Sequence, residues 1–193
     1  MSESSPNSVN GLDIAGNRRA RKWSGRDLIG RGLWESLSFV FAWSPRQFWG
    51  WRNAWLRLFG ARIGRAVHIH PSVRIAVPWN LDIGDNTAVG DGAILYSLGR
   101  ITIGGNVTIS QYAHLCAGTH DHLKLDLPLL KPPITIAEGA WVCADAFVGP
   151  DVRIGAAAIV AARAVVTRDV APWKIVAGNP AREIADRSAF EPR

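Results

Sequence analysis

Hydrophobic positions recur along this chain with two different periods, and the change falls near residue 62. Upstream, Phe48, Trp51, Trp55, Leu58 and Phe59 return at steps of three and four, with Arg46, Arg52, Asn53 and Arg57 largely opposite. That spacing predicts an amphipathic helix with an apolar stripe. Ser44 fits its N-cap, Pro45 the first helical position and Gln47 the reciprocal capping partner, while Gly60 is a natural stop. Ser24 followed by Asp27 marks an earlier start. A helical hairpin or one bent helix is therefore expected over residues 24–59.

From Ile63 onward the step becomes six. Ile63, Ile69 and Ile75 are followed by Ile83, Val89 and Leu95, then Ile103, Ile109 and Leu115, then Ile136, Val142 and Val148, then Ile154, Val160 and Val166. The residue after each anchor is often small, as in Gly64, Gly84, Gly104, Ser110 and Gly155, and a small or β-branched residue often returns four places on, as in Val67, Thr87, Ala113 and Ala158. A sheet with one wet face would alternate with period two. One short strand per hexad, each turning through about a third of a circle, gives a triangular solenoid instead, with the aliphatic anchors stacked inside. Small residues then permit the tight corners. About five coils are expected, preceded by the helical segment. The six-residue step is broken only between Ile75 and Ile83, Leu95 and Ile103, and Leu115 and Ile136, by two, two and fifteen extra residues. With three hexads per coil, all three breaks fall at one corner, which therefore carries the long loop after His120. Loops gathered on one edge of a solenoid are where binding sites concentrate.

Composition adds less. The 193 residues carry a net charge of +6, with 48% hydrophobic residues, 20% charged residues and nine Trp. Part of the charge sits in Arg18, Arg19, Arg21 and Lys22, which belong to an expected disordered basic tail over residues 1–22. A helical cap over 23–61, a solenoid over 62–185 and a tail over 186–193 complete the division. No nucleic-acid-binding motif is present. Cys116 and Cys143 form no CxxC pair and are read as reduced thiols of a cytosolic protein. The first 33 residues contain no apolar run that would mark a signal peptide, and the stretch 37–43 is far short of the ~20 residues a spanning helix needs.

The Ile-Gly hexads, the segments Leu95-Tyr96-Ser97-Leu98-Gly99, Ile109-Ser110-Gln111 and Leu115-Cys116-Ala117-Gly118-Thr119-His120-Asp121, and the close Ala177-Gly178-Asn179-Pro180-Ala181-Arg182 resemble the hexapeptide-repeat acyltransferases. Within them they are most similar to the colanic-acid-type branch, related to the maltose, galactoside and nodulation O-acetyltransferases. The resemblance covers about residues 35–185. It implies a left-handed parallel β-helix, an exception to the usual right-handed crossover, a homotrimer, and transfer of an acetyl group from acetyl-CoA to a hydroxyl of a sugar or saccharide intermediate in exopolysaccharide biosynthesis.

The resemblance places the general base at His120, and an imidazole titrating near 6.5 suits proton removal at neutral pH. Asp121 could orient or balance His120, or serve only as a solvated loop carboxylate. No Gly-x-Ser-x-Gly elbow occurs, so direct attack is favoured over an acyl-enzyme. Trp141 matches a position beside the pantetheine arm, where packing at a subunit contact is the other reading. Ala144 and Ala162 match small positions along the pantetheine, and Arg168 and Arg182 match basic positions near the phosphates, a task suited to guanidinium groups. Arg163 and Lys174 are weaker candidates. Gly90-Asp91 stands where the maltose and galactoside branch has an acceptor-binding Asn, so a maltose-like acceptor is not carried over. Tyr96, Ser97 and Arg100, near the bulged corner, are the candidate acceptor contacts.

Two other functions are open on this fold. A γ-type carbonic anhydrase needs three zinc-binding His, two of them five apart, whereas His114, His120 and His122 are spaced by six and two, so no metal is expected. A nonenzymatic scaffold is the other. The Trp-rich helix has two possible roles of its own: capping the first coil with its apolar stripe, or peripheral contact with a membrane surface.

Overall fold

The computed structural model describes residues 12–187. Coil one comprises β1 (Arg62–Ile63), β2 (His68–Ile69) and β3 (Arg74–Ile75), and coil two β4 (Leu81–Ile83), β5 (Ala88–Val89) and β6 (Ile94–Tyr96). Coil three is β7 (Ile101–Ile103), β8 (Thr108–Ile109) and β9 (His114–Cys116). A hairpin of β10 (Thr119–His120) and β11 (Leu129–Leu130) then leaves the solenoid. Coil four is β12 (Ile134–Ile136), β13 (Trp141–Val142) and β14 (Phe147–Val148); coil five is β15 (Arg153–Ile154), β16 (Ile159–Val160) and β17 (Val165–Val166). Strand β18 (Lys174–Ala177) begins a sixth turn and folds back antiparallel as β19 (Arg182–Asp186). Equivalent strands pair in parallel, giving three faces: β1-β4-β7-β12-β15, β2-β5-β8-β13-β16-β18 and β3-β6-β9-β14-β17. The parallel β-helix expected from the six-residue period is the architecture found.

All fifteen aliphatic anchors are buried, as are the small residues four places on, so one side-chain stack fills the triangle from end to end. The glycines after the anchors answer a different need from the one expected. A β-carbon at Gly84 would lie 2.6 Å from the backbone of Gly104 on the next coil, so Gly is required by close coil stacking. The left-handed backbone at that corner falls two residues later, at Asn86 and Asn106, with φ of 57° and 56°. Asn tolerates that region better than most residues.

Upstream lie α1 (Ile14–Arg19), α2 (Gly25–Ala42) and α3 (Trp49–Leu58). Ser24 and Asp27 form a reciprocal capping box at the start of α2, as the sequence suggested. Two expectations are corrected. Helix α3 begins at Trp49, not after Ser44; the Ser44 hydroxyl instead donates to the Phe41 carbonyl and accepts from Arg52. The basic segment expected to be disordered is ordered over its described part: Asp13 caps α1 through Gly16, and Asn17 is buried. The remainder of that tail, residues 1–11, and residues 188–193 lie outside the described residues.

The third correction concerns which face of α3 closes the solenoid. Each coil donates its N–H groups to the next, as in Gly64 N to the Ile83 carbonyl at 2.7 Å and His68 N to the Thr87 carbonyl at 2.9 Å. Coil one is therefore left with outward carbonyls and needs donors, which an apolar stripe cannot supply. The polar face of α3 turns inward. Arg52 Nε reaches the Ile69 carbonyl at 2.7 Å, Asn53 Nδ2 that of Val67 at 2.8 Å, and Arg57 that of Ile63 at 2.8 Å. Trp34 Nε1 on α2 takes the Ile75 carbonyl at 2.8 Å. Leu56, fully buried among them, adds the apolar plug. Phe48, Trp51 and Leu58, which the capping role for the apolar stripe would have packed inward, are exposed.

Candidate active site

The three breaks in the hexad do fall at one corner, between the third and first faces. The first is a 3₁₀ turn at Pro78–Asn80, the second runs through Leu98–Gly99, and the third is the loop that begins at Ala117. His120 stands at the base of that loop, where β10 pairs with β11 in the register His120 to Leu129. Its ring is exposed, and Nδ1 lies 2.6 Å from the Leu127 carbonyl oxygen. A carbonyl only accepts, so Nδ1 carries the proton and Nε2 keeps the lone pair. An imidazole held in that tautomer is arranged to remove a proton.

Asp121 does not orient the ring. Its Oδ1 accepts from Leu123 N at 3.1 Å, its Oδ2 lies 3.7 Å from Lys124 Nζ, and its own N–H bonds the Pro128 carbonyl. The carboxylate shapes the loop, and the Leu127 carbonyl does the orienting. Sequence reading missed this group because backbone carbonyls leave no residue signature, and Leu127 reaches its place through a left-handed φ of 43°.

Of the acceptor candidates, Tyr96 on β6 is exposed and, with Arg74, His114 and Cys116, lines a groove of about 350 Å³ on the third face. Arg100 is also exposed. Ser97 is a correction. It is completely buried, its hydroxyl accepting from Val77 N at 2.9 Å and donating to the Val77 carbonyl at 2.8 Å. It ties two bulges of the corner together and is closed to an acceptor. His114 sits between Tyr96 and Phe147, edge-on to both. Burial, with Arg74 adding repulsion, pushes its pKa down.

The coenzyme candidates occupy other parts of the surface. Trp141 is exposed on the second face, its Nε1 donating to Ser110 Oγ at 2.9 Å. Ala144 and Ala162 stack at the corner between the second and third faces, where Arg163 N bonds the Ala144 carbonyl at 2.9 Å. Arg168 and Arg182 line one groove at the C-terminal end, together with Lys174 and the carboxylates Asp169 and Glu183. Lys174 on the same groove is engaged by Glu183 at 2.6 Å and Asp186 at 2.5 Å, and these partners raise its pKa. Arg163 lies 3.7 Å from Asp145. Within one chain, Trp141 and His120 therefore belong to different parts of the triangle. Among the described residues no three His, Cys, Asp or Glu side chains gather as a metal-binding group, and both cysteines are free.

No protein-family model matches the chain. It is 42% identical over 180 residues to a protein of Escherichia coli strain K12 described as a colanic acid biosynthesis acetyltransferase, WcaF, covering 93% of this chain and 99% of that one. It is 28% identical over 142 residues to the galactoside O-acetyltransferase of the same organism, 70% of each chain being covered. Among solved structures it is similar to a hexapeptide-repeat acetyltransferase, VCA0836, from Vibrio cholerae. The TM-score there is 0.79 at 25% identity, with 86% of this chain and 95% of that chain covered.

Proposed function

Because the chain belongs to the hexapeptide-repeat acetyltransferases of the colanic-acid type, and is thus an acyl-CoA-dependent acetyltransferase, we propose that it acetylates a hydroxyl of a saccharide intermediate in exopolysaccharide assembly, with Nε2 of His120 as general base. The observation that carries this is the bond from His120 Nδ1 to the Leu127 carbonyl, which leaves Nε2 bare at the loop corner. Acetyl-CoA supplies an acyl carbon activated by its thioester. His120 takes the acceptor hydroxyl proton as that oxygen bonds the acyl carbon, and the imidazolium then returns the proton to the departing thiolate. Tyr96 and Arg100 contact the acceptor; Trp141, Ala144, Ala162, Arg168 and Arg182 contact the coenzyme.

The separation of His120 from Trp141 within one chain supports a homotrimer in which each site is shared between neighbouring subunits. The exposed stripe of α3 and the outer face of α2 support peripheral contact with the inner, cytoplasmic membrane surface. Leu33, Leu37, Trp55, Leu58 and Phe59 line one groove there, an apolar floor edged by Arg26 and Asp27. Among the described residues no helix is long and apolar enough to cross a bilayer.

The test is His120→Ala assayed with acetyl-CoA and a saccharide acceptor. The variant should lose about 10²–10⁴-fold in kcat with coenzyme affinity little changed. Near-full turnover would remove His120 from the mechanism. Light scattering should find three chains per particle, and a fully active single chain would overturn the shared site.

A further inference from the structure

The Leu127 carbonyl that orients His120 has a second partner from the far end of the sequence. Asn17, only 8% exposed, directs its side-chain amide Nδ2 at the carbonyls of Asp126 and Leu127, each at 2.5 Å. Its Oδ1 in turn accepts from Lys22 Nζ at 2.5 Å. The segment around it is sewn to the same loop on both sides. Asp13 N bonds the Leu125 carbonyl at 2.8 Å, and Lys131 Nζ bonds the Lys22 carbonyl at 2.8 Å while lying 3.4 Å from the Trp23 ring centre. No strand pairing holds the loop tip between Asp121 and Leu129; its backbone is tied by internal turns and by this N-terminal clamp.

We propose that Asn17 is a positioning residue for the acetyl transfer, acting through the Leu127 carbonyl on the tautomer and direction of the His120 ring. The inference rests on His120 being the base. Leu127 needs an outside hold because its φ of 43° is disfavoured for any residue with a side chain. A carbonyl has two lone pairs, so it accepts from Asn17 and from His120 Nδ1 together. With the Asn17 donors gone, nothing described on the N-terminal side holds that oxygen in line with Nδ1. The ring is then free to turn or to shift its proton to Nε2, where it no longer accepts one. Small misplacements of a reacting group are costly, reaching about 10²-fold for 1 Å.

Asn17→Asp is the main test, because it keeps the shape and removes both donors; Asn17→Ala is the second. Each should lower kcat by about 10- to 100-fold with the KM for acetyl-CoA little changed. Nitrogen-15 NMR of the His120 ring should show a proton on Nδ1 in the native protein and a mixture of tautomers in Asn17→Asp. In a His120→Ala background, adding Asn17→Ala should lower the residual rate no further. Full kcat and an unchanged tautomer in folded Asn17→Asp would overturn the proposal, as would an undiminished Asn17 effect in the His120→Ala background. If His120→Ala itself kept turnover, the base assignment would fall instead, and the tautomer spectrum alone would still decide whether Asn17 controls the ring. Should Asn17→Ala fail to fold, Asn17→Asp carries both readouts.

Discussion

Arg52 lies completely buried beneath the first coil, with its Nε 2.7 Å from the carbonyl oxygen of Ile69. The same guanidinium reaches Ser44 Oγ and the Pro45 carbonyl at 2.8 Å and the Arg46 carbonyl at 2.5 Å. One side chain thus ties the start of the solenoid to the turn between α2 and α3, using a group that donates and never accepts. Replacing it with an apolar chain of similar length, Arg52→Met, leaves the buried Ile69 carbonyl and the part-buried Arg46 carbonyl without this donor, while Pro45 keeps its bond from Phe48 N. An unsatisfied buried group costs about 1–3 kcal/mol, and the Ile69 carbonyl alone should account for that much. Thermal unfolding at matched protein concentration should register it as a drop in Tm. A variant as stable as the native protein would mean that the first coil does not need this donor.

Asp121 and His120 are neighbours in sequence, yet the carboxylate is engaged by Leu123 N and Lys124. Asn can accept from Leu123 N as well as Asp can. Asp121→Asn should therefore stay within a few-fold of native kcat, unlike an orienting triad carboxylate, whose loss costs about 10⁴-fold. A fall of two orders of magnitude in steady-state assays would return Asp121 to the mechanism.

His114 predicts a dependence of stability on pH. Its folded pKa is lowered, first by burial and then by Arg74, and its Nε2 is buried without a partner. Above the ordinary value near 6.5 both folded and unfolded forms are neutral and the group is silent. Below it the unfolded chain binds the proton first, so stability falls as pH drops towards the folded pKa. His114→Phe, placed between the rings of Tyr96 and Phe147, should lose less Tm between pH 7 and pH 5 than the native protein does. Equal losses would show that His114 is not the source.

The outward stripe gives a fourth test. Trp43 and Leu58 are 87% and 74% exposed and take no part in the donor cap. Trp43→Ser with Leu58→Ser should leave thermal unfolding unchanged and abolish sedimentation with vesicles containing phosphatidylglycerol. Failure of the native protein to sediment would remove membrane contact from the proposed function. Trp49 and Arg52 are unsuited to this test, because Trp49 stacks on His68 at 4.8 Å and Arg52 belongs to the cap.

How far the sequence could be read differs from element to element. The anchors from Ile63 to Val166 announced themselves because burial at a fixed step is a one-dimensional property, and each strand needs only its own hexad to declare which side faces in. The single bulged corner followed from counting residues between anchors. The position of His120 at the base of the loop could be counted from the anchors, whereas its role as base came only from the likeness of its neighbours to a known motif. Ser97 was misjudged. Its neighbours Tyr96 and Arg100 point outward, but its hydroxyl is consumed by Val77, twenty residues away in sequence and adjacent only after one coil has closed.

Helix α3 marks the boundary most clearly. Its amphipathic pattern was evident, and if the helix caps the coil, pattern alone would turn the apolar side to the interior, since burying apolar area is the usual reason a helix packs. What lies against it decided otherwise. Coil one ends in unpaired carbonyls, and only the polar face of α3, through Arg52, Asn53 and Arg57, together with Trp34 of α2, carries the donors that satisfy them. The sequence by itself determined the solenoid and its bulged corner, because each is a matter of spacing along the chain; the role proposed for His120 at that corner rests on the resemblance. The tertiary structure alone decided the inverted cap, the Leu127 carbonyl behind His120 and the reach of Asn17 to that carbonyl. Each of these is a hydrogen bond to a backbone group, and backbone groups are the same at every position until the fold selects one.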